Sequence, residues 1–393
     1  MIASFLDTDK YKLTMGQFVR SCFYNFEVEY RLFIRNPEIV FPENFDVLLK
    51  EEIQKLSDVK ISREEVEWLR TSQDGVFSDD YLAFLANYRY NPKQVYVKQK
   101  NGKLDLRIKG FWKDAIYWEV PLLAIISELY NKQKGFIYSL PNELAKKGSE
   151  LYSYVYQRGI KCFDFGTRRR FSFEYQDKIL EKFLASPTYP YLKGTSNLYF
   201  AKKYAKLAIG TMAHEGPMAM QTLWSLDESV WIKKWLDFYK GKLAIALPDT
   251  LTTKYCLKRV FNDWKLLKLY DGFRQDSGNV HDFMDLILNH YQKYGVEAKT
   301  KKILLSDRLN PERLYNFHDA YRSKTNIEGA IGTWLTNGIS NFDPVIKLTH
   351  VKTSENDVYY PVVKLSDSPE KAICTNKKHL REIKKEIENA TNS

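Results

Sequence analysis

From about residue 160 onward the chain alternates short apolar runs with segments long enough for a helix, and this rhythm constrains its fold more than any other feature. The runs are KCFDFG (161–166), LAIGT (207–211), KLAIALPDT (242–250), KLYDGFRQDSG (268–278), KKILLSD (301–307) and IEGAIGT (327–333). Strands separated by helices pair in parallel, in a sheet that is either closed into a barrel or open. Each run ends in or near a polar residue: Asp164, Thr211, Asp249, Asp276, Asp307 and Thr333. The carboxyl ends of the strands line the active site of a (β/α) barrel, and an open doubly wound sheet places ligands there too. So many strand ends carrying Asp or Thr favour the barrel.

Residues 1–135 mix element types. A helix is predicted to start at Asp7 or Thr8 and cover KYKLTMGQFVR, and EVEYRLFIR (27–35) alternates like a strand. Helical segments are expected near 43–57, 62–71 and 78–87. VYVKQKNGKLDLRIKG (95–110) sets two alternating runs around Asn101-Gly102, a strong hairpin signal. Past residue 345, VIKLTHVK and VYYPVVKLS read as antiparallel strands, and KKHLREIKKEIENATNS as an exposed amphipathic helix. The expected fold is α/β: an N-terminal α/β domain (1–135), an irregular (β/α) barrel (136–344), and C-terminal strands and helix (345–393) that pack back on the N-terminal domain.

Charge narrows the partners. Lys and Arg number 60 against 49 Asp and Glu, a formal net charge of +11, and such a surplus attracts anions. No RRM, zinc-finger or helix-turn-helix signature accompanies it, so small anions are expected and nucleic acid is not. The four cysteines are far apart and form no CxxC pair, which suggests neither a zinc site nor a disulfide framework. MIASFLDTDKYKL is charged within seven residues, so a cytoplasmic protein is expected. The most apolar run, AIYWEVPLLAIISELY (115–130), is interrupted by Glu119, Pro121 and Glu128 and is too short and polar to span a bilayer.

Several loops carry candidate chemistry. FDFGTRRRFSFE (163–174) sets Arg168, Arg169 and Arg170 after a strand end, where a planar fork of donors suits phosphate or carboxylate. Arg168, nearest the strand end, is the candidate, and solvated or paired arginines are the alternative. In KGTSNLYFAKKY (193–204), Thr195 or Ser196 caps a helix whose free amides suit an anion, unless it is a plain cap. In GAIGTWLTN (329–337), Gly332 allows close backbone approach and the Thr333 hydroxyl adds a donor. In DGFRQDSGN (271–279), Arg274 and Asp276 share one side of a strand, fit for an anion and for sugar hydroxyls or a metal-bound water, or simply for each other. In GTMAHE (210–215), His214 follows a strand end, and a neutral imidazole is a good nucleophile and acid–base group. Glu215, Asp249 or Asp276 would orient it, and a satisfied structural histidine is the alternative. These residues lead to a barrel-like enzyme for a phosphorylated, anionic substrate.

TDKYKLTMGQ (8–17), WEVPLLAIISELY (118–130), FDFGTRRRFS (163–172), GTSNLYFAKKY (194–204), IGTMAHE (209–215), RQDSG (274–278) and AIGT (330–333) stand in the same order as in nicotinate phosphoribosyltransferases. Over about residues 7–340 the chain resembles that family. The resemblance implies transfer of a phosphoribosyl group from 5-phosphoribosyl 1-diphosphate to nicotinate, in NAD salvage. It implies ATP hydrolysis through a phosphohistidine at His214, with Mg²⁺ accompanying ATP and phosphoribosyl diphosphate. Tyr11 and Thr211 match nicotinate contacts, Arg274 the carboxylate clamp, and Thr333 a phosphoribosyl diphosphate contact. Arg168, Ser196 and Asn197 fall in motifs that meet substrate phosphates or the ring. Asp276 is assigned to ribose hydroxyls or to Mg²⁺ through water, with no direct metal ligand. The expected assembly is a monomer or homodimer. A nicotinamide-using relative is the alternative, and Arg274 favours the carboxylate. The chain departs from the family pattern at Gly216-Pro217, Asn279 and Arg308.

Overall fold

Twelve strands form two sheets in the computed structural model, which describes residues 1–210, 212–223, 227–355 and 357–392. In chain order they are β1 (Glu27–Ile34), β2 (Val95–Lys100), β3 (Lys103–Phe111), β4 (Lys161–Asp164), β5 (Gly194–Thr195), β6 (Leu207–Ala208), β7 (Ile245–Ala246), β8 (Gly272–Gln275), β9 (Lys302–Leu305), β10 (Asn326–Ile331), β11 (Pro344–Lys352) and β12 (Tyr360–Pro361). The parallel sheet has the order β6-β5-β4-β10-β9-β8-β7, and the antiparallel sheet β12-β11-β1-β3-β2.

The parallel sheet is the irregular barrel expected from the strand–helix rhythm. Its strands are short and apolar because both faces are covered. Phe273, Ile303, Leu305, Ile327 and Ile331 are all buried in its core. The outer strands β6 and β7 share no ladder among the described residues. All its paired strands run parallel, so Asp164, His214, Asp249, Asp276, Asp307 and Thr333 follow strand ends on one rim. The strand β5 was not expected. Its two residues lie in the segment read as a helix cap, and tertiary pairing with β4 and β6 makes them a strand.

The hairpin β2–β3 turns at Asn101 (φ 50°) and Gly102 (φ 68°), both left-handed, as a two-residue turn that follows sheet twist requires. β11 returns to pair with β1, with Lys347 opposite Arg31, so the N-terminal sheet is completed by the far end of the chain. Four helices matter below: α1 (Lys10–Cys22), α2 (Glu119–Gln133), α3 (Glu215–Leu223) and α4 (Lys377–Asn392). Helix α2 is the apolar run 115–130 in its folded form. Val120, Leu122, Leu123, Ile125 and Ile126 are all buried, so it is a core helix, apolar nearly all round. Among the described residues no helix is long and apolar enough to cross a membrane.

Helix α4 corrects one expectation. Its Ile383 and Ile387 pack with Leu251, Tyr255, Val363 and Leu365, next to the barrel helix Thr253–Arg259, rather than on the N-terminal sheet. Burial of two isoleucines is worth about 1.5–3 kcal/mol each, enough to fix the helix there.

Candidate active site

The N-terminal segment anchors one wall. Arg170 is fully buried and forms a two-pronged pair with Asp7, Nη1 to Oδ1 and Nη2 to Oδ2, both at 2.8 Å. Asn197, not Thr195 or Ser196, caps the helix Leu198–Lys203, and its amide donates to Asp7 Oδ1 at 2.8 Å and Thr167 Oγ1 at 3.1 Å. Ser196 Oγ donates to Asp9 Oδ1 at 2.7 Å. Ser196 and Asn197 are buried and spend these side-chain groups on the fold. Both contribute to the scaffold in this arrangement. They hold α1, and with it Tyr11, against the barrel.

Arg168 and Arg169 behave differently from Arg170. Both line a cavity of about 430 Å³ at the strand-end rim, together with Arg35, Arg274, Arg308, Lys347 and Lys371. Asp276, Ser306, Asp307, Gly332, Thr333 and Asp343 complete its polar lining. Seven cations against three carboxylates give this cavity a positive lining that attracts anions. Burial, first of all, pushes Lys347 down to about 7, against the pull of Glu119 and helped by Arg168 and Lys364. Burial likewise pushes Arg169 down to about 10, with Asp343 opposing and Arg168 and Arg35 adding to it. Both shifts come chiefly from burial, neighbouring cations add to them, and an anion in the cavity would oppose them.

Gly332 follows β10 at this rim. A Cβ there would meet the Phe165 carbonyl oxygen at 3.1 Å, so a side chain would press the two strand-end loops apart. Thr333 is half-buried beside it on the cavity wall.

His214 stands behind the cavity. It is 4% exposed, and its Nε2 lies 2.7 Å from Asp249 Oδ1. Asp249 in turn accepts from Ser277 Oγ and, at 3.3 Å, from Lys364 Nζ. With its proton on Nε2 the ring donates to Asp249 and turns the Nδ1 lone pair toward Lys364. Lys364 Nζ lies 2.9 Å from Nε2 and 3.4 Å from Nδ1, and Asp276 Oδ2 lies 3.9 Å from Nδ1. Burial pushes the imidazole down to about 4 against the opposing pull of Asp249, so it is neutral near pH 7. Burial pushes the Asp249 carboxyl up, but His214 and Lys364 overcome it and hold it well below the usual range. A neutral imidazole held at Nε2 by Asp249, with its Nδ1 lone pair beside the Lys364 ammonium, can act as a nucleophile when that lysine turns to another partner.

Asp276 joins His214 to the cavity. Its Oδ1 accepts from Arg274 Nη2 at 2.6 Å and from Ser306 Oγ at 2.9 Å, and Arg274 Nε donates to Ser306 Oγ at 2.9 Å. The local ion pair and the rim position are thus both real. Asp249, not Glu215, orients His214; Glu215 bonds Lys12 Nζ at 2.8 Å. Tyr11 is buried, with its ring 5.8 Å from the Arg168 guanidinium. Thr211 lies outside the described residues.

His214, Asp249 and Asp276 place ligand atoms within 4.8 Å of one another. Lys364 and Arg274 already neutralise this cluster, and a cation there would displace an ammonium. A direct metal ligand set does not fit, whereas a hydrated Mg²⁺ held mainly by substrate phosphates, with Asp276 as an outer acceptor, does.

The three departures have physical readings. A Cβ on Gly216 would meet the Trp231 ring at 2.3 Å, so glycine there serves packing. Asn279 caps the helix Val280–Lys293, accepting from the His281 amide at 2.8 Å. Arg308 stands at φ 47° and turns its side chain to the cavity.

A sequence profile of the nicotinate phosphoribosyltransferase (NAPRTase) family matches residues 160–391, and one of the NAPRTase N-terminal domain matches residues 6–127. The chain belongs to the nicotinate phosphoribosyltransferase family. The nicotinate phosphoribosyltransferase of Methanosarcina mazei is 36% identical over 392 residues, covering 94% of this chain and 95% of that protein. Its counterpart in Methanosarcina acetivorans is 37% identical over 391 residues, with the same coverage. The solved structure of the Porphyromonas gingivalis nicotinate phosphoribosyltransferase superimposes with a TM-score of 0.90 at 30% identity, covering 99% of this chain and 100% of that one. The Vibrio cholerae enzyme gives 0.87 at 30% identity, covering 99% and 96%. Family membership accounts for the fold and for the order of the motifs.

Sequence reasoning missed Arg35, Lys347, Lys364 and Lys371. Lys347 and Lys364 did leave a signal: each is a lone lysine inside an apolar strand-like run, VIKLTHV and VVKLS. A lysine in a run that must be buried is placed there for a partner.

Proposed function

We propose that the protein joins nicotinate to 5-phosphoribosyl 1-diphosphate, giving nicotinate mononucleotide and diphosphate, with ATP hydrolysis coupled through phosphorylated His214. The observation that carries this reading is the neutral His214, tethered at Nε2 by Asp249 and facing the Arg274–Asp276 pair at the rim of a guanidinium-lined cavity. Family membership supports the substrates; the geometry supports the roles.

The cavity cations Arg35, Arg168, Arg169, Arg308, Lys347 and Lys371 suit the diphosphate and 5-phosphate, the most highly charged parts of the substrates. Gly332 and Thr333 offer a backbone amide and a hydroxyl to the same anions. Arg274 suits the nicotinate carboxylate, and Tyr11 and Arg168 suit the pyridine ring. Nicotinamide carries no charge for Arg274 to clamp, which favours the acid. Mg²⁺, when bound with the phosphates, would neutralise charge on the leaving diphosphate, and Asp276 is the residue that would hold it through water. Transfer requires the pyridine nitrogen to attack C1 as the C1–oxygen bond to diphosphate breaks. These residues act by alignment and by fixed charge set before the reaction, which is where most of such a rate gain arises.

In the ATP half-reaction, the Nδ1 lone pair attacks the γ-phosphorus as the bond to ADP breaks. The proton stays on Nε2, hydrogen-bonded to the Asp249 carboxylate, and Lys364 balances the arriving oxygens. The reading places the enzyme in NAD salvage, inside the cell. Assay of the purified protein with nicotinate, phosphoribosyl diphosphate and ATP, each omitted in turn, tests it. Mononucleotide that forms only with the first two present and is stimulated by the third is the expected result. Equal turnover of nicotinamide would refute it.

A further inference from the structure

Lys12 is a buried cation that the chemistry above leaves unused. It sits in α1 with no side-chain exposure, and its Nζ lies 2.6 Å from Glu119 Oε2 and 2.8 Å from Glu215 Oε2. The two carboxylates belong to different halves of the site. Glu215 follows His214 in the chain and opens α3. Glu119 opens α2, accepts from the Tyr11 hydroxyl at 3.4 Å, and lies 3.7 Å from Arg168 Nη1.

Stability alone does not account for charge at this position. Well-packed apolar residues replace buried ion pairs with little loss and often with gain. The pairing is nonetheless kept fully charged on the Glu119 side: burial pushes that carboxyl up, but Lys12, Lys347 and Arg168 hold it at about 2. The contacts therefore run without a gap from the His214 backbone through Glu215, Lys12 and Glu119 to Tyr11 and Arg168. A phosphoryl group on Nδ1 would add negative charge next to Asp249 and Asp276. Repulsion from them would press on the ring and on the adjacent Glu215 backbone, from which the tether leads through Lys12 and Glu119 to Tyr11 and Arg168.

We propose that Lys12 is a positioning residue that couples phosphorylation of His214 to the nicotinate half of the pocket. The proposal rests on the ATP-coupled reading above. Its test measures ATP hydrolysed and nicotinate mononucleotide formed in one reaction, with the full chain and its Lys12→Met variant. Lys12→Met is expected to keep acid-labile phosphorylation of the protein while hydrolysing roughly five-fold or more ATP per mononucleotide, the size of an ordinary coupling effect. A folded Lys12→Met variant in which both rates fall together at the parent's ratio overturns the proposal, since a merely structural role does that. Should Lys12→Met fail to fold, Glu215→Gln keeps the shape and weakens only one arm, and the same two ratios decide. A parent protein that hydrolyses no ATP during transfer overturns the ATP-coupled reading and this proposal with it. A coupled parent with a coupled variant overturns this proposal alone.

Discussion

Asp249 Oδ1 lies 2.7 Å from His214 Nε2 and holds that side of the imidazole. The carboxylate comes from the loop after β7 and the imidazole from the loop after β6, so two strand ends must be in place before the nucleophile exists.

Replacing Asp249 with Asn removes the carboxylate charge that favours the proton on Nε2, and adds an amide donor that can face the ring instead. ATP-dependent, acid-labile phosphorylation of the chain is expected to fall by roughly 100-fold or more, as when a histidine loses its orienting carboxylate. Labelling with γ-phosphate-labelled ATP measures it. Label at the parent rate would show that another group sets the ring.

Arg274→Ala removes a charged donor from the carboxylate site. The nicotinate KM should rise about 10- to 100-fold, the worth of a hydrogen bond to a charged group, while nicotinamide changes far less. Equal shifts for both substrates would remove the clamp assignment. Because Arg274 also holds Asp276, kcat is expected to fall as well.

Lys347 is half-buried, and its pKa lies near 7, lowered chiefly by burial. It is a cation below that pH and loses its charge as pH rises through it. The KM for phosphoribosyl diphosphate should therefore rise between pH 6 and pH 8, by up to roughly ten-fold for one partly solvated contact. Lys347→Arg keeps the charge and should flatten the profile. A parent profile that is already flat would refute the assignment.

Asp7→Ala leaves the fully buried Arg170 without its partner. A loss of about 3–5 kcal/mol in chemical denaturation is expected for breaking such a pair. Asp7 touches no cavity residue in this reading, so KM values in the surviving folded fraction should stay near the parent's.

The Asn101-Gly102 hairpin, the return of β11 and the strand–helix rhythm after residue 160 were legible because each depends on local periodicity or turn geometry. His214, Arg274 and Asp276 were legible for a related reason, since parallel strands bring their carboxyl ends to one rim. The bonds of Ser196 to Asp9 and of Asn197 to Asp7 were not legible, because a polar residue after a strand reads alike whether it faces a ligand or a buried Asp.

What the sequence determined by itself is the set of strand ends and the family they resemble, since both are properties of order along the chain. Only the tertiary structure decided that Asp249 rather than Glu215 orients His214, that Arg170 is core while Arg168 and Arg169 face the cavity, and that Lys347 and Lys364 reach the site. Those outcomes depend on distances between residues up to 163 positions apart, and charge interactions follow distance in space.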